Sequence, residues 1–195
     1  LEVRSDVELR ALGPRELRLR LAACGICHSD LAVAAGLISG PTPCVLGHES
    51  AGVVEAVGAQ VVDVRPGDHG IVAGMPACGR CRSCLRGQPY LCQSGVVMGA
   101  DGVSFATPAP FLLEGRPVSA ALGCFAEQLI VHENAWIPIA PALPLDVASL
   151  IGCCVVTGVG AAIHAAEIRP GSSVAVVGCG GVGISAVQGA RLAGA

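Results

Sequence analysis

The sequence predicts an α/β chain in two parts: an all-β barrel or sandwich over residues 1–145, then the opening of a βαβ unit over 146–195. Three observations carry this. Up to about Ile139 the chain runs as short alternating segments broken by Gly, Pro and Asp, the pattern of many short strands. At "PALPLDVASL" the pattern changes to a long uncharged run at helical length. The close, "SSVAVVGCGGVGISAVQGA", reads as a β-branched strand, a glycine turn and a helix.

Element by element, "LEVRSDVELR" alternates apolar and charged residues and reads as a strand. "ELRLRLAAC", "AGVVEAVG", "GDHGIVAG" and "AEQLIVHENAWIPI" repeat that pattern between turn residues. Ser94 to Gly123 has little period and is expected to be an extended surface loop. Asp146 is expected to cap a helix that continues to about Ile168, in two pieces because of its glycines. Within it Val147 to Ala166 carries no charge and meets the length of a membrane span. Its three Gly, two Cys, Thr and His, and a second uncharged run at Val174 to Ala190, favour buried α/β elements instead.

Composition narrows the function. Charged residues are 14% and net charge is −3 with no Lys/Arg run, so nucleic acid is not an expected partner. No basic segment leads into an apolar one at the start, so no signal peptide is read. The chain lacks an initiator Met and stops at "QGARLAGA", inside an expected helix, so both ends look cut. Eleven cysteines without a secretory segment point to metal binding and a reducing, cytoplasmic compartment.

The clearest motif is Cys78-x2-Cys81-x2-Cys84-x7-Cys92. Four thiolates form a closed tetrahedral cage for zinc, with no ligand position left for substrate. An iron–sulfur cluster takes the same four ligands, and redox or incidental cysteines are the plain alternative. Nothing else in the chain suggests electron transfer, so zinc leads. A dispersed set, Cys27 in "CGICHSD", His48 and Glu49 in "LGHES", and Cys153 in "IGCCVVTGVG", matches a catalytic zinc with an open fourth position. Taken alone, a residue such as His48 is more often a turn histidine, and Cys153 more often a small buried thiol. Gly178-x-Gly180-x-x-Gly183 lies between strand and helix, where glycines let a pyrophosphate approach the helix N-terminus.

Taken in order, "CGICHSD", "GHESAGVVEAVG", the four-cysteine loop, "GCCVVTGVGAA" and "VVGCGGVG" resemble the zinc-dependent medium-chain dehydrogenases, the alcohol dehydrogenase family. The segment "DGVSFATPAPFLLEGRPV" is most similar to the alcohol and glutathione-dependent formaldehyde dehydrogenase branches. The resemblance implies a GroES-like antiparallel β-barrel domain over 1–145, then over 146–195 a linking helix and the first unit of a Rossmann domain. It implies two zincs per chain and NAD, with NADP left open. Cys27, His48 and Cys153 would hold the catalytic zinc, and Cys78, Cys81, Cys84 and Cys92 the structural one. Glu49 would lie behind the catalytic zinc, and Asp30 would fix the His48 ring. Ser29 would accept the substrate's hydroxyl proton. His28 would approach the pyrophosphate and Thr157 the nicotinamide, with Gly178, Gly180, Gly181, Val182 and Gly183 forming the nucleotide turn.

The implied reaction is reversible hydride transfer between an alcohol, or an aldehyde adduct, and NAD(P), the alcohol ionising on the metal. The implied partners are a small alcohol or aldehyde and, in the complete enzyme, further copies of the chain, with no membrane. A histidine that finishes the proton relay in several members is replaced by Leu31, Ala32 and Val33. Cys24 and Cys154 are the rival thiols to Cys27 and Cys153. Cys44, Cys124 and Cys179 read as buried small residues, and His69, His132 and His164 as structural. The second Rossmann strand and its acidic residue fall at or beyond Ala195. The reading from another class is therefore an inactive, truncated, zinc-stabilised GroES-like module, and a zinc-free reductase is disfavoured because both ligand sets are present.

Overall fold

The computed structural model describes residues 1–92, 109–120 and 122–195, and the backbone of two strands between 96 and 105. Two sheets dominate it. One runs in the order β10-β2-β4-β5-β11: β10 (Gln128–His132), β2 (Glu16–Gly25), β4 (Glu49–Val57), β5 (His69–Val72) and β11 (Trp136–Pro138), all antiparallel. The other runs β1-β8-β9-β3: β1 (Val7–Leu9), β8 (Phe111–Leu113), β9 (Arg116–Ala120) and β3 (Cys44–Val45), with only β3 and β9 parallel. A third pair, β6 (Val96–Gly99) and β7 (Gly102–Phe105), is antiparallel.

Period-two alternation builds the barrel. In β2 Leu17 and Leu19 are fully buried while Arg18 and Arg20 face solvent. They join Val54, Val72, Leu129, Val131 and Trp136 from the same sheet and Phe111 and Val118 from the other. Each such side chain contributes roughly 1.5–3 kcal/mol by leaving water. Glu16 opens β2 inside this shell. Its carboxylate accepts from both terminal nitrogens of Arg10, at 2.6 and 2.7 Å, and from the Gly13 amide at 2.7 Å.

The structure corrects three expectations here. The segment Ser94 to Gly123 is not simply a loop: β8 and β9 lie within it and send Phe111 and Val118 into the core. Pro110, Gly115 and Pro117 broke the alternation that would have revealed them. Residues 94–95, 100–101, 106–108 and 121 of that segment lie outside the described residues. At the N-terminus only Val7–Leu9 pairs, because β8 offers a three-residue edge. The expected strand Ser173–Val177 is extended but forms no ladder, since no described strand lies beside it, and Val177 is fully exposed.

The expected helix from Asp146 is also divided and starts earlier. α3 (Leu145–Ser149) is capped by Pro144, and Asp146 sits in its first turn, accepting from the Val147 amide. A single 3₁₀ turn follows at Leu150–Gly152, and α4 (Cys154–Gly160) continues as a π-turn through Ala161–Ala165. The two halves are bent by 53° at Cys153, and among the described residues no single helix is long and apolar enough to cross a membrane. α3 lies on the β2-β4-β5 face, where Ala148 is fully buried against Ala51 and Ile71. That docking delivers Cys153 to the strands that carry His48 and the end of β2.

Candidate metal centres

Three chain segments meet at the end of β2. After Gly25 the backbone is extended at Cys27, then enters α1 (His28–Ala34). Asp30, in the first turn of α1, accepts the Cys27 amide at its Oδ2, 3.1 Å away. Its Oδ1 accepts the Gly47 amide at 3.0 Å and lies 3.2 Å from His48 Nδ1. One buried carboxylate, 5% exposed, thus ties the Cys27 turn to the turn that presents His48. That second turn requires Gly47, whose φ of +93° is left-handed and whose Cβ would run into the Phe125 backbone. Gly152 lies so close to the Val72 carbonyl that a Cβ would sit 2.8 Å from it, which sets Cys153 beside the other two segments.

The outcome is a cluster in which Cys27, His48, Glu49 and Cys153 offer ligand atoms all within 4.8 Å of one another. Cys24 and Cys154 are not in it: Cys24 donates to the Gly25 carbonyl and Cys154 to that of Leu150. Ser29 Oγ stands 3.2 Å from Cys27 Sγ and 3.3 Å from His48 Nε2. Glu49, 3% exposed, sits closer to the ligand atoms than a residue merely behind them would. Burial pushes the Cys153 thiol up to about 12, with the neighbouring Cys27 and Glu49 charges adding to it. Two thiolates and a carboxylate in this space repel one another, the neutral imidazole adds a lone pair, and a divalent cation relieves that repulsion. The donor set fits zinc.

The cysteine loop forms a second cluster. Cys81 caps the short helix α2 (Arg82–Leu85), Cys84 lies on it, and Cys92 follows the 3₁₀ turn Pro89–Leu91. All four sulfurs lie within 4.8 Å of one another. Tetrahedral zinc–thiolate bonds would bring them to about 3.8 Å. The Cys78 amide points at Cys92 Sγ (3.2 Å) and the Cys81 amide at Cys78 Sγ (3.3 Å), an arrangement that favours thiolates. Partial burial and the Cys81 thiol push the Cys84 thiol up to about 11, so Cys84 ionises near neutral pH only with a cation beside it. Four sulfurs fill every tetrahedral position, leaving none for a substrate.

At the other end of the chain, Gly178 has φ +103° and Gly180 precedes α5 (Gly181–Leu192) as its cap. Nothing lies near the missing Cβ of Gly180, whereas a Cβ on Gly183 would overlap the Gly178 carbonyl. The first glycine turns the chain, the second leaves open space and the third lets helix and turn close up. Gly181 and Val182 form the first helical residues, with Gly181 against the Cys154 side chain. His28 is exposed at the start of α1.

The sequence missed the space that joins these parts. A cavity of about 580 Å³ has Ser29, His48 and Cys153 in its wall, and Thr157 as well. Its other walls come from turns and strand ends with no motif, including Ile38, Leu46, Met75 and Ile137. Cys44 lines it and is half-buried, and Cys179 is exposed; of the three thiols expected to be buried only Cys124 is. Cys44 is on an edge strand facing the cavity, and Cys179 is in a glycine turn with nothing packed over it. His164 is likewise exposed.

Residues 13–141 match the alcohol dehydrogenase GroES-like domain. Among solved structures, an alcohol dehydrogenase zinc-binding domain protein from Burkholderia ambifaria is 37% identical with a TM-score of 0.80, over 96% of this chain and 52% of that one. Benzyl alcohol dehydrogenase from Acinetobacter calcoaceticus is 31% identical with a TM-score of 0.82, over 97% and 51% respectively. A thermostable alcohol dehydrogenase from Pyrobaculum aerophilum, solved with cobalt and zinc bound, is 33% identical with a TM-score of 0.76, over 96% and 51%. The chain therefore spans about half the length of the solved proteins it matches.

Proposed function

The chain belongs to the alcohol dehydrogenase family, its barrel being the GroES-like domain, and on that premise we propose a zinc-dependent alcohol dehydrogenase passing hydride between a small alcohol or aldehyde and NAD(P). In this reading 1–145 is the catalytic domain and 146–195 leads into a Rossmann domain. The observation that carries it is the meeting of Cys27, His48, Glu49 and Cys153 at an apolar cavity whose wall includes His48, Cys153 and Ser29.

Cys27, His48 and Cys153 hold the catalytic zinc, and Cys78, Cys81, Cys84 and Cys92 the structural one. Zinc at the first site supplies a Lewis acid that eases loss of an alcohol's hydroxyl proton near neutral pH. Asp30 Oδ1 accepts from His48 Nδ1–H, which leaves the Nε2 lone pair for ligation. Ser29 Oγ, beside both Cys27 and His48, would accept the hydroxyl proton while releasing its own toward solvent. Glu49 is the fourth donor of the cluster, so an open position for substrate requires its carboxylate to stand back. The apolar walls exclude water from the hydride path. Thr157 faces the nicotinamide, and Gly178, Gly180, Gly181, Val182 and Gly183 receive the pyrophosphate with His28 nearby.

Metal analysis and turnover of the full-length protein test this together. Two zincs per chain with NAD(P)-dependent oxidation of an alcohol are expected. One zinc, lost in Cys78→Ala, with no coenzyme-dependent oxidation would instead establish a structural module.

A further inference from the structure

We propose that Cys24 and Cys124 form a thiol pair that a hydroperoxide closes to a disulfide inside the barrel, apart from both metal clusters. The inference goes beyond the dehydrogenase reading and does not depend on turnover. Of the eleven cysteines, Cys27 and Cys153 belong to one cluster and Cys78, Cys81, Cys84 and Cys92 to the other. Cys24 and Cys124 belong to neither, yet the fold sets them side by side. Cys24 lies near the end of β2, directly opposite Ser50 in β4. Residues so opposed in an antiparallel pair point to one face, with Cβ atoms about 4.5–5.5 Å apart. The Ser50 hydroxyl, fully buried, donates to Cys124 Sγ at 3.1 Å. The Cys124 thiol in turn hydrogen-bonds the Cys24 sulfur, and Cys24 donates to the Gly25 carbonyl at 3.4 Å. The hydroxyl and the two thiols thus form one directed chain, in which the Cys24 sulfur accepts a bond that favours its thiolate.

Exposure orders the steps. Cys24 is half-buried while Cys124 is 1% exposed, so a small oxidant meets Cys24 first. The Cys24 thiolate attacks one oxygen of hydrogen peroxide, the O–O bond breaks, and the other oxygen leaves as water, giving Cys24 sulfenic acid. The Cys124 sulfur then attacks the Cys24 sulfur, the S–O bond breaks, and the S–S bond forms as a second water leaves. Two thiols give up two electrons and two protons, and one peroxide is reduced to two waters. Cys124 is well anchored for the second step: its amide donates to the Gly47 carbonyl and that of Phe125 to Leu46, each at 2.9 Å. The disulfide would therefore tie β2, just before Cys27, to the segment that braces the turn before His48.

The test treats the full-length, zinc-loaded protein with a small excess of hydrogen peroxide, blocks the remaining thiols and maps the cysteines by mass spectrometry. The expected product is two hydrogens lighter than the reduced protein, links Cys24 to Cys124, keeps its zinc and reverts with dithiothreitol. Closing a loop of about a hundred residues should also raise the melting temperature by a few degrees. Cys124→Ala should stop the reaction at Cys24 sulfenic acid, which dimedone traps. Cys24→Ala should abolish the link and leave Cys124 unlabelled, and it serves alone if the buried Cys124 variant does not fold. A disulfide from Cys27, Cys153 or the four-cysteine loop in its place, a wild-type Cys24 that rests as the sulfenic acid, or a full set of intact thiols overturns the inference. A Cys24–Cys124 link that expels zinc or lowers the melting temperature overturns it too, because the barrel then does not accommodate the bond. None of these outcomes touches the dehydrogenase reading. A protein that forms the link and oxidises no alcohol overturns that reading and supports this one.

Discussion

Asp30→Asn is the substitution that separates positioning from ligation. Asp30 accepts three hydrogen bonds while 5% exposed: from Cys27 N and Gly47 N, and from His48 Nδ1–H. An asparagine has the same shape but one oxygen and one NH₂. If its oxygen faces Gly47 and His48, its NH₂ meets the Cys27 amide; if flipped, it meets the other two. At least one donor is left facing a donor in a buried turn, and the remaining bonds lose their charge. The cost is about 2–3 kcal/mol, or roughly 4–12 °C in melting temperature for a chain of this size. His48 also loses the carboxylate that selects its tautomer, so zinc affinity at the Cys27–His48–Cys153 site should fall about 10–100-fold. Melting followed by circular dichroism, and zinc competition with a chromogenic chelator, read the two effects separately. The histidine tautomer can be followed by ¹⁵N NMR, where the wild-type Nδ1–H signal should be partly replaced by Nε2–H. An Asp30→Asn protein that melts within 1–2 °C of wild type and keeps its zinc affinity within about twofold would refute this account of the turn.

The other expectations divide along the two clusters and the barrel. Cys81→Ala should remove one zinc and sharply lower melting temperature or solubility, since structural zinc is worth on the order of 10 kcal/mol of folding free energy; loss of catalysis alone, at unchanged stability, would reverse the division of roles. Cys153→Ala should remove the other zinc, whereas Cys154→Ala should not. Because burial holds the Cys153 thiol up near 12, above the 9.0 of a free thiol, it is protonated at pH 8 without metal, and zinc uptake must displace that proton. Indicator-dye titration at pH 8 should show the proton release that accompanies filling of this site lost in Cys153→Ala and kept in Cys154→Ala. The raised value also means that the metal-free protein loses stability as pH climbs from about 9 towards 12. In the barrel, Arg10→Ala leaves the Glu16 carboxylate buried without its cation and should cost about 3 kcal/mol at neutral pH. Burial opposes the Glu16 charge, but the Arg10 and Gly13 hydrogen bonds outweigh it and hold the carboxyl below 4.5, so this stabilisation is present above that pH and fades as acid protonates Glu16. Urea titrations at pH 7 and pH 3 should show the Arg10→Ala deficit shrinking.

What could be read in advance depended on whether the signal was local. β2 announced itself because burial alternates from Leu17 to Arg20, and β10 as a short apolar run buried from Leu129 to Val131. β8 and β9 did not, because proline and glycine punctuate elements of only three and five residues, and the outer partner of β8 is β1, about a hundred positions away. The cysteine loop was legible as spacing. The meeting of Cys27, His48, Glu49 and Cys153 rested on resemblance, since no spacing rule brings residue 153 to residue 27; it depends on α3 docking through Ala148 and on Gly152 reaching the Val72 carbonyl. The cavity wall was illegible for the same reason. Met75, Ile137 and Leu46 are ordinary apolar residues until folding turns them toward one space.

This difference in locality also separates the two halves of the proposed chemistry. Every candidate zinc ligand lies within the described residues, and the hydrogen bonds that orient them close among Cys27, Ser29, Asp30, Gly47 and His48. These bonds set the positions of Cys27 and His48 in the proposed site. The coenzyme turn is supported differently. Gly178 and Gly183 pack on each other and α5 packs on α4, but the segment Ser173–Val177 that should anchor the turn has no described strand on either side. A βαβ turn is held by the sheet beneath it, because parallel strands derive their stability from neighbours on both edges. The proposed metal and coenzyme sites thus rest on separate foundations, the first on the two main sheets and the second on a sheet whose ladder the described residues do not form.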